Sequence, residues 1–232
     1  MAAADPVAAI TVAESPALHI PDGFVSAPVA AGGWVLAAAV IALAARRADR
    51  NLDERAAPLM GVMAAFIFTG QMVNVPVAGG TSGHLVGGAL AAILLGPWAA
   101  IIVMTAVVAL QALLFQDGGL AALGVNTLNM AVLSVLVGWG VYRVLQPLGG
   151  LHPALAAAAA FAAAWLSVEA AAIATTLQLA ASATSPLTVA LPAMVGVHAL
   201  IGIGEGLITL GALGLVRAAR PDLLTRPARA EA

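Results

Sequence analysis

HLVGGALAAILLGPWAAIIVMTAVVALQALLF, residues 84–115, contains no charged side chain, and its reading decides how often the chain crosses a bilayer. A hydrocarbon core about 30 Å thick asks for roughly 20 apolar residues per helix. The stretch exceeds one such helix, and Gly96-Pro97 divides it. Proline fixes its own φ and disfavours helix in the residue before it, so a tight turn fits there. The reading is two short spans, 84–95 and 97–115, against the alternative of one long bent helix. Further apolar segments fall at 28–45, 58–76, 122–143, 153–180 and 188–216. The expected fold class is all-α: a polytopic membrane helix bundle of about seven transmembrane helices.

The arginines choose between the two counts. All nine basic residues are arginine and fall in three places: Arg46, Arg47, Arg50 and Arg55; Arg143; then Arg217, Arg220, Arg226 and Arg229. Cytoplasmic segments are the ones that carry excess positive charge. Arg55 and Arg143 then need an even number of crossings between them, which 58–76, 84–95, 97–115 and 122–143 supply. A merged 84–115 would strand Arg143 outside. The expected topology has the N-terminus outside and the C-terminus inside. Residues 1–17 read as an extension, 18–216 as the membrane domain and 217–232 as a short cytoplasmic tail. This places His19, ahead of the first span, and the 77–84 loop with His84 on one external face.

Composition agrees and excludes. The chain is 62% hydrophobic and 9% charged, whereas soluble domains average about 45–50% apolar and about 25% charged residues. No basic patch with interleaved aromatics offers a surface to nucleic acid. The absence of cysteine removes disulfides and thiolate ligands, so any metal site must use nitrogen and oxygen. A GxxxxGK[ST] phosphate loop, an HExxH zinc motif and a GxSxG elbow are all missing, and no catalytic constellation replaces them.

The candidates are therefore ligands. Neutral imidazole suits Ni(II), Co(II), Cu(II) and Zn(II), and His19 and His84 are the external imidazoles. A free amine on residue 18 would add two nitrogens to the His19 ring, its own and the His19 backbone nitrogen, in fused chelate rings. His84 would then close a square. The alternative keeps His19 as a loop residue and His84 as a cap or packing residue. In GGTSGHLVGG (79–88) the glycines allow close backbone approach, while Thr81 and Ser82 can cap the next helix. Gln71 and Asn74, three apart on span two, read as supporting partners for a histidine or as interhelical hydrogen bonds. Glu169 and Glu205 lie inside spans, where an ionisable group is a functional suspect, for helix tethering or for coupling. His198 reads as a buried imidazole with its bonds satisfied, His152 as an inner-loop residue, and Asp117 in QDGG as a turn residue.

HIPDGF (19–24), PLMGVMAAFIFTGQMVNVPVAGGTSGHLVGGALAAILLGPWAA (58–100), QALLFQDGGLAALGVNTLNM (111–130) and HALIGIGEGLIT (198–209) together resemble the CbiM/NikM family. These are substrate-specific membrane components of energy-coupling-factor importers for nickel and cobalt. The resemblance runs from about residue 18 to 216, and the 58–100 block is its strongest part. It implies a metal held by the N-terminal amine, the following backbone nitrogen, the imidazole of the second residue, and a histidine from the glycine-rich loop. Carried over, these are Leu18, if it is the mature N-terminus, then His19 and His84. It also implies partners: a transmembrane coupling subunit, cytoplasmic ATPase subunits and a small accessory membrane subunit, all in the cell membrane of a bacterium or archaeon. PVAGGTSGHL (76–85) resembles the nickel-type members more than the cobalt-type ones, so Ni2+ is the expected substrate and Co2+ the alternative.

Two functions follow from the residues. One is a capture subunit of an ATP-driven importer. The other is a self-sufficient proton-coupled secondary transporter using Glu169 or Glu205. For the first, the seventeen residues before Leu18 are a departure, because a peptide nitrogen at Leu18 cannot serve as an amine. Initiation at residue 18 or cleavage after Ala17 restores it, and Ser15 and Ala17 fit a small-residue cleavage pattern. Intact mass or terminal sequencing of the chain from its host tests this. The expected first residue is number 18, and a start at residue 1 or 2 would forbid the amine chelate.

Overall fold

The computed structural model describes residues 19–49, 56–73, 75–77 and 81–224. Among them run eight α-helices: α1 (Ala27–Asp49), α2 (Ala56–Gln71), α3 (Gly88–Leu95), α4 (Pro97–Leu110), α5 (Leu123–Thr127), α6 (Ser134–Leu145), α7 (Pro153–Ala181) and α8 (Leu187–Ala219). A π-helical turn, Gln111–Phe115, prolongs α4, and another, Leu128–Leu133, joins α5 to α6, so the eight helices make seven rods. One antiparallel hairpin, β1 (Val75–Val77) and β2 (Thr81–Gly83), pairs Val75 with Gly83 and Val77 with Thr81.

Five rods are long and apolar enough to cross a membrane: Ala27–Ala48, Pro97–Phe115, Leu123–Gly150, Pro153–Ala181 and Leu187–Ala219. Large apolar side chains such as Leu36, Val62, Leu114, Leu200 and Leu215 face outward from the rods, as lipid-facing surfaces require. The chain is a multi-pass membrane protein. Half of the apolar window of α7 is buried, against 17% for α1 and 22% for α8, so α7 is central and the other two are peripheral.

Two spans differ from the sequence reading. The second, expected over 58–76, ends as helix at Gln71 and continues into β1 after sixteen helical residues. The third, expected over 84–95, is helical only from Gly88 and has eight residues. At 1.5 Å per residue that is about 12 Å, too short to cross the core alone. The cause is tertiary: residues 84–87 are drawn out of helix by partners on α2 and α8. Gly87 sits at φ +84°, a conformation that disfavours side chains. Gly96, at φ +78°, then turns the chain into Pro97 and α4, the break that the sequence placed there.

Small residues bring the rods into backbone contact, as expected where no hydrophobic force acts between helices in lipid. α3 is walled in on α6, with Gly88 against Ser134 and Gly138 against Ala89. α1 crosses α5 where Gly33 meets Val125 and Gly124 meets the backbone of Trp34. On α8, Gly202 and Gly206 receive Trp165 and Phe161 of α7. The core between them gathers Met63 and Ile67, Leu90, Ile101 and Met104, Val135 and Val168.

A Cβ on Gly138 would stand 2.6 Å from the Cβ of Ala89, whereas one on Gly140 would meet nothing within 4 Å. Gly138→Val is therefore expected to destabilise the detergent-solubilised protein by about 1–3 kcal/mol, the usual range for overpacking. Gly140→Val should leave the thermal midpoint nearly unchanged. Equal midpoints for the two variants would contradict this packing of α3 on α6.

Candidate metal centre

The HIPDGF strip is stitched to the loop before α5. Ile20 N donates to Asn126 Oδ1 at 2.8 Å, and Asn126 Nδ2 donates back to Ile20 O at 3.0 Å. Gly119 N donates to the same carbonyl at 3.0 Å. Asp22 accepts from the amides of Leu120, Ala121 and Ala122 at 3.0, 2.8 and 3.2 Å, satisfying donors that the turn into α5 leaves open. Beyond it, Thr184 Oγ1 donates to Phe24 O at 2.6 Å and Ser26 N to Ser182 Oγ at 2.9 Å. A Cβ on Gly118 would lie 3.1 Å from the Cβ of His19, so the loop fits only as glycine there. The strip has one registered position, and that position buries His19.

His19 and His84 meet there. Their rings stack with centroids 4.9 Å apart and planes 23° from parallel. Each is 1% exposed. His84 Nδ1 lies 2.7 Å from Leu85 O. A carbonyl only accepts, so Nδ1 carries the hydrogen and Nε2 keeps its lone pair. That Nε2 is buried without a hydrogen-bond partner. Burial first, and the facing His19 second, hold the His84 pKa down at about 3.

Asp117 joins them. Its Oδ1 stands 3.1 Å from His19 Nδ1. This is ion-pair distance, although the two groups are not aligned as a hydrogen bond and neither nitrogen of His19 has a hydrogen-bond partner. Burial works to raise the Asp117 pKa, but the close His19 outweighs it and holds the carboxyl below its ordinary value. The sequence reading of Asp117 as a turn residue misses this contact.

The segment after His84 is held from two helices. Glu205 of α8, 1% exposed, accepts from Val86 N through Oε2 at 2.6 Å and from Gly87 N through Oε1 at 2.7 Å. Gln71, the last residue of α2, donates from Nε2 to Val86 O at 2.6 Å. Glu205 thus tethers the loop, whereas Glu169 in α7 is 5% exposed with neither oxygen hydrogen-bonded. Thr81 and Ser82 belong to β2, and α3 starts after Gly87 with no side-chain cap, which corrects their reading as caps. Their side chains, like Asn74 and Leu18, lie outside the described residues.

His198 comes closer to the site than its sequence reading allowed. Its Nδ1 bonds the Met194 carbonyl at 2.7 Å, but Nε2 is buried and unpartnered. It stands near enough to act electrostatically on His84. His152 instead caps α7, accepting from Ala154 N at 3.1 Å. Among the described residues no three of His, Cys, Asp or Glu converge as a metal-holding group. Two stacked imidazoles are what the side chains supply. Nitrogen donors of this kind suit late first-row metals and are poor ligands for Mg2+ or Ca2+.

The profile of the CbiM family, described as cobalt uptake substrate-specific transmembrane region, matches residues 19–223. A Haloquadratum walsbyi protein whose metal-transport name is itself an inference is 44% identical over 89% of this chain and 93% of its own length. The fused nickel transport protein NikMN of Rhodobacter capsulatus is 35% identical over 93% of this chain and 66% of its own length. A crystal structure of a truncated transition metal transporter superposes with a TM-score of 0.79 at 36% identity, covering 86% of this chain and 98% of that one.

The His84 environment has a measurable consequence. With a pKa of about 3, about 1% of its imidazole is protonated near pH 5. Nitrogen-15 NMR of the metal-free protein should show His84 neutral, in the Nδ1–H form, throughout the range from about pH 8 to about pH 5. A midpoint near the ordinary histidine value would contradict the dry, stacked placement of the ring.

Proposed function

Because the chain belongs to the CbiM family of cobalt-uptake substrate-specific transmembrane regions, we propose that it captures Ni2+, with Co2+ as the alternative, at the external face for an ATP-driven importer. It is a membrane component of nickel and cobalt transport, and its work is binding, not catalysis. The observation that carries the finer reading is the buried His19–His84 stack, in which His84 offers an uncommitted Nε2. Two imidazoles alone are half of a square. Among the described residues no third metal-ligating side chain joins them, and the family likeness is what supports backbone nitrogens as the remaining donors. On this reading the amine of Leu18, provided that Leu18 is the mature N-terminus, and the backbone nitrogen of His19 complete the four.

ATP hydrolysis, on this reading, belongs to separate cytoplasmic subunits joined through a transmembrane coupling subunit, with a small accessory membrane subunit beside them. Glu169 supports a second reading, since a buried carboxyl without a hydrogen-bond partner is the kind of group that carries a proton. Proton-driven uptake by this chain alone would then be its activity.

The purified chain is expected to retain one Ni2+ through a desalting column. His19→Ala and His84→Ala should each abolish retention, and normal retention in both would end the proposal. In proteoliposomes, uptake should require the ATPase and coupling subunits with ATP. Uptake driven by a proton gradient without them, and lost in Glu169→Gln, would establish the second reading instead.

A further inference from the structure

The bonds around residues 84–87 fall on two consecutive peptide groups. The peptide joining Leu85 to Val86 gives its N–H to Glu205 Oε2 at 2.6 Å and its carbonyl to His84 Nδ1 at 2.7 Å. The peptide joining Val86 to Gly87 gives its N–H to Glu205 Oε1 at 2.7 Å and receives Gln71 Nε2 on its carbonyl at 2.6 Å. A peptide group is planar and stiff. Fixing its N–H therefore fixes where its carbonyl points, and that carbonyl orients the His84 ring.

We propose that Glu205 is a positioning residue for the metal donor, acting through the 85–86 peptide group to hold His84 as the Nδ1–H tautomer with Nε2 presented. This deepens the capture function and rests on that reading for its metal arm. The order of the relay is carboxylate, peptide N–H, peptide carbonyl, imidazole N–H, and finally the free lone pair. Metal-bound histidines commonly donate their other N–H to a carboxylate or carbonyl, which sets the tautomer and raises the ligand's basicity. Here a carbonyl does so, and the carboxylate stands one peptide further out. Hydrogen bonds in a chain polarise each other, so a carboxylate on the N–H strengthens the carbonyl as an acceptor.

The residue type supports the role. Both amides sit at the start of α3, where no helical carbonyl reaches them, and Gly87 provides no side-chain cap. One side chain that accepts from two adjacent amides needs two acceptor oxygens. Glutamate has them, whereas glutamine would turn an NH2 toward one N–H. Placing a carboxyl in the interior of α8 is unfavourable unless it is hydrogen-bonded. A loop needed only as a connector could have been closed by the helix itself. Because α8 carries Glu205, any shift of that helix also shifts the tautomer-setting carbonyl.

The test is Glu205→Gln in the full chain in detergent, read in two ways. Without metal, nitrogen-15 NMR should show His84 passing from a single Nδ1–H tautomer to a mixture. With Ni2+, affinity should fall about 10–100-fold, the range for loss of a supporting partner, and the visible d–d band of bound nickel should shift. Glu205→Asp, too short to reach both amides, should fall between. A purely structural role would lower the thermal midpoint yet leave tautomer, affinity and band as in the wild type, and that result overturns the proposal. If the wild type itself binds no Ni2+, the capture function fails while the tautomer comparison still decides this inference. If neither variant folds, the wild-type Val86 amide proton decides. A strongly downfield position that moves with Ni2+ supports the relay, and an ordinary, unresponsive one ends it.

Discussion

Backbone polarity inside an apolar bundle is the constraint on which this architecture turns. Residues 84–86 run without helical bonds, and Val86 and Gly87 are buried there. Each backbone group left open there would cost about 1–3 kcal/mol, and in a membrane protein irregular backbone is tolerated only where protein or a water-filled cavity supports it. Glu205 and Gln71 meet that demand. Because they come from α8 and α2, the loop is tied to both walls of its site. α3 can then be short, and its eight residues, nearly all buried, fill the gap between α4, α6 and α7 instead of spanning it.

The second half of the site is assembled differently. His19 has no helix beneath it and depends on a strip pinned by Asn126, Gly119 and Asp22. Asn126 reads both the N–H and the carbonyl of Ile20, as a neighbouring strand would. A shift of one residue along the chain would break that pair and take Asp22 off its three amides. Register is thus set by polar groups at the end of the bundle, while the rods below are set by glycine and alanine contacts. His19 and His84 stack because two independent anchoring systems converge on one spot.

Hydropathy made most of the rods legible. Residues 97–115, 153–180 and 188–216 match helices to within a few residues, because uninterrupted apolar length is a property of each segment alone. The short α3 was not legible in this way. Its apolar letters match a span, and only Glu205, far along the chain, shows why 84–87 leaves the helix. Gln71, read as a supporting partner for a histidine or as an interhelical hydrogen bond, reaches the Val86 carbonyl in the loop after His84, and β1 after it was hidden because VNVPV continues an apolar run. Asp117 and the unsatisfied nitrogen of His198 needed coordinates, since a turn aspartate and a core histidine look the same in sequence as a site-lining pair. The composition of HALIGIGEGLIT did carry a trace: His198 and Glu205 lie seven apart, two turns along one helical face.

Charge balance joins the two halves of the proposed capture site. A divalent cation brought into a buried site is unfavourable unless negative charge accompanies it. In the proposed chelate, the ring through the His19 backbone nitrogen would close at Nδ1, and coordination would remove the proton from that backbone nitrogen, supplying one negative charge. Asp117 stands 3.1 Å from the same Nδ1 and would supply a second. Together they would offset the two positive charges of the ion, leaving the loaded site formally neutral. His84 then adds donor strength without adding charge. This also accounts for the division of labour between the acids. Asp117, partly exposed, would balance the ion directly, whereas Glu205, fully buried and occupied by two amides, acts on His84 through the peptide between them.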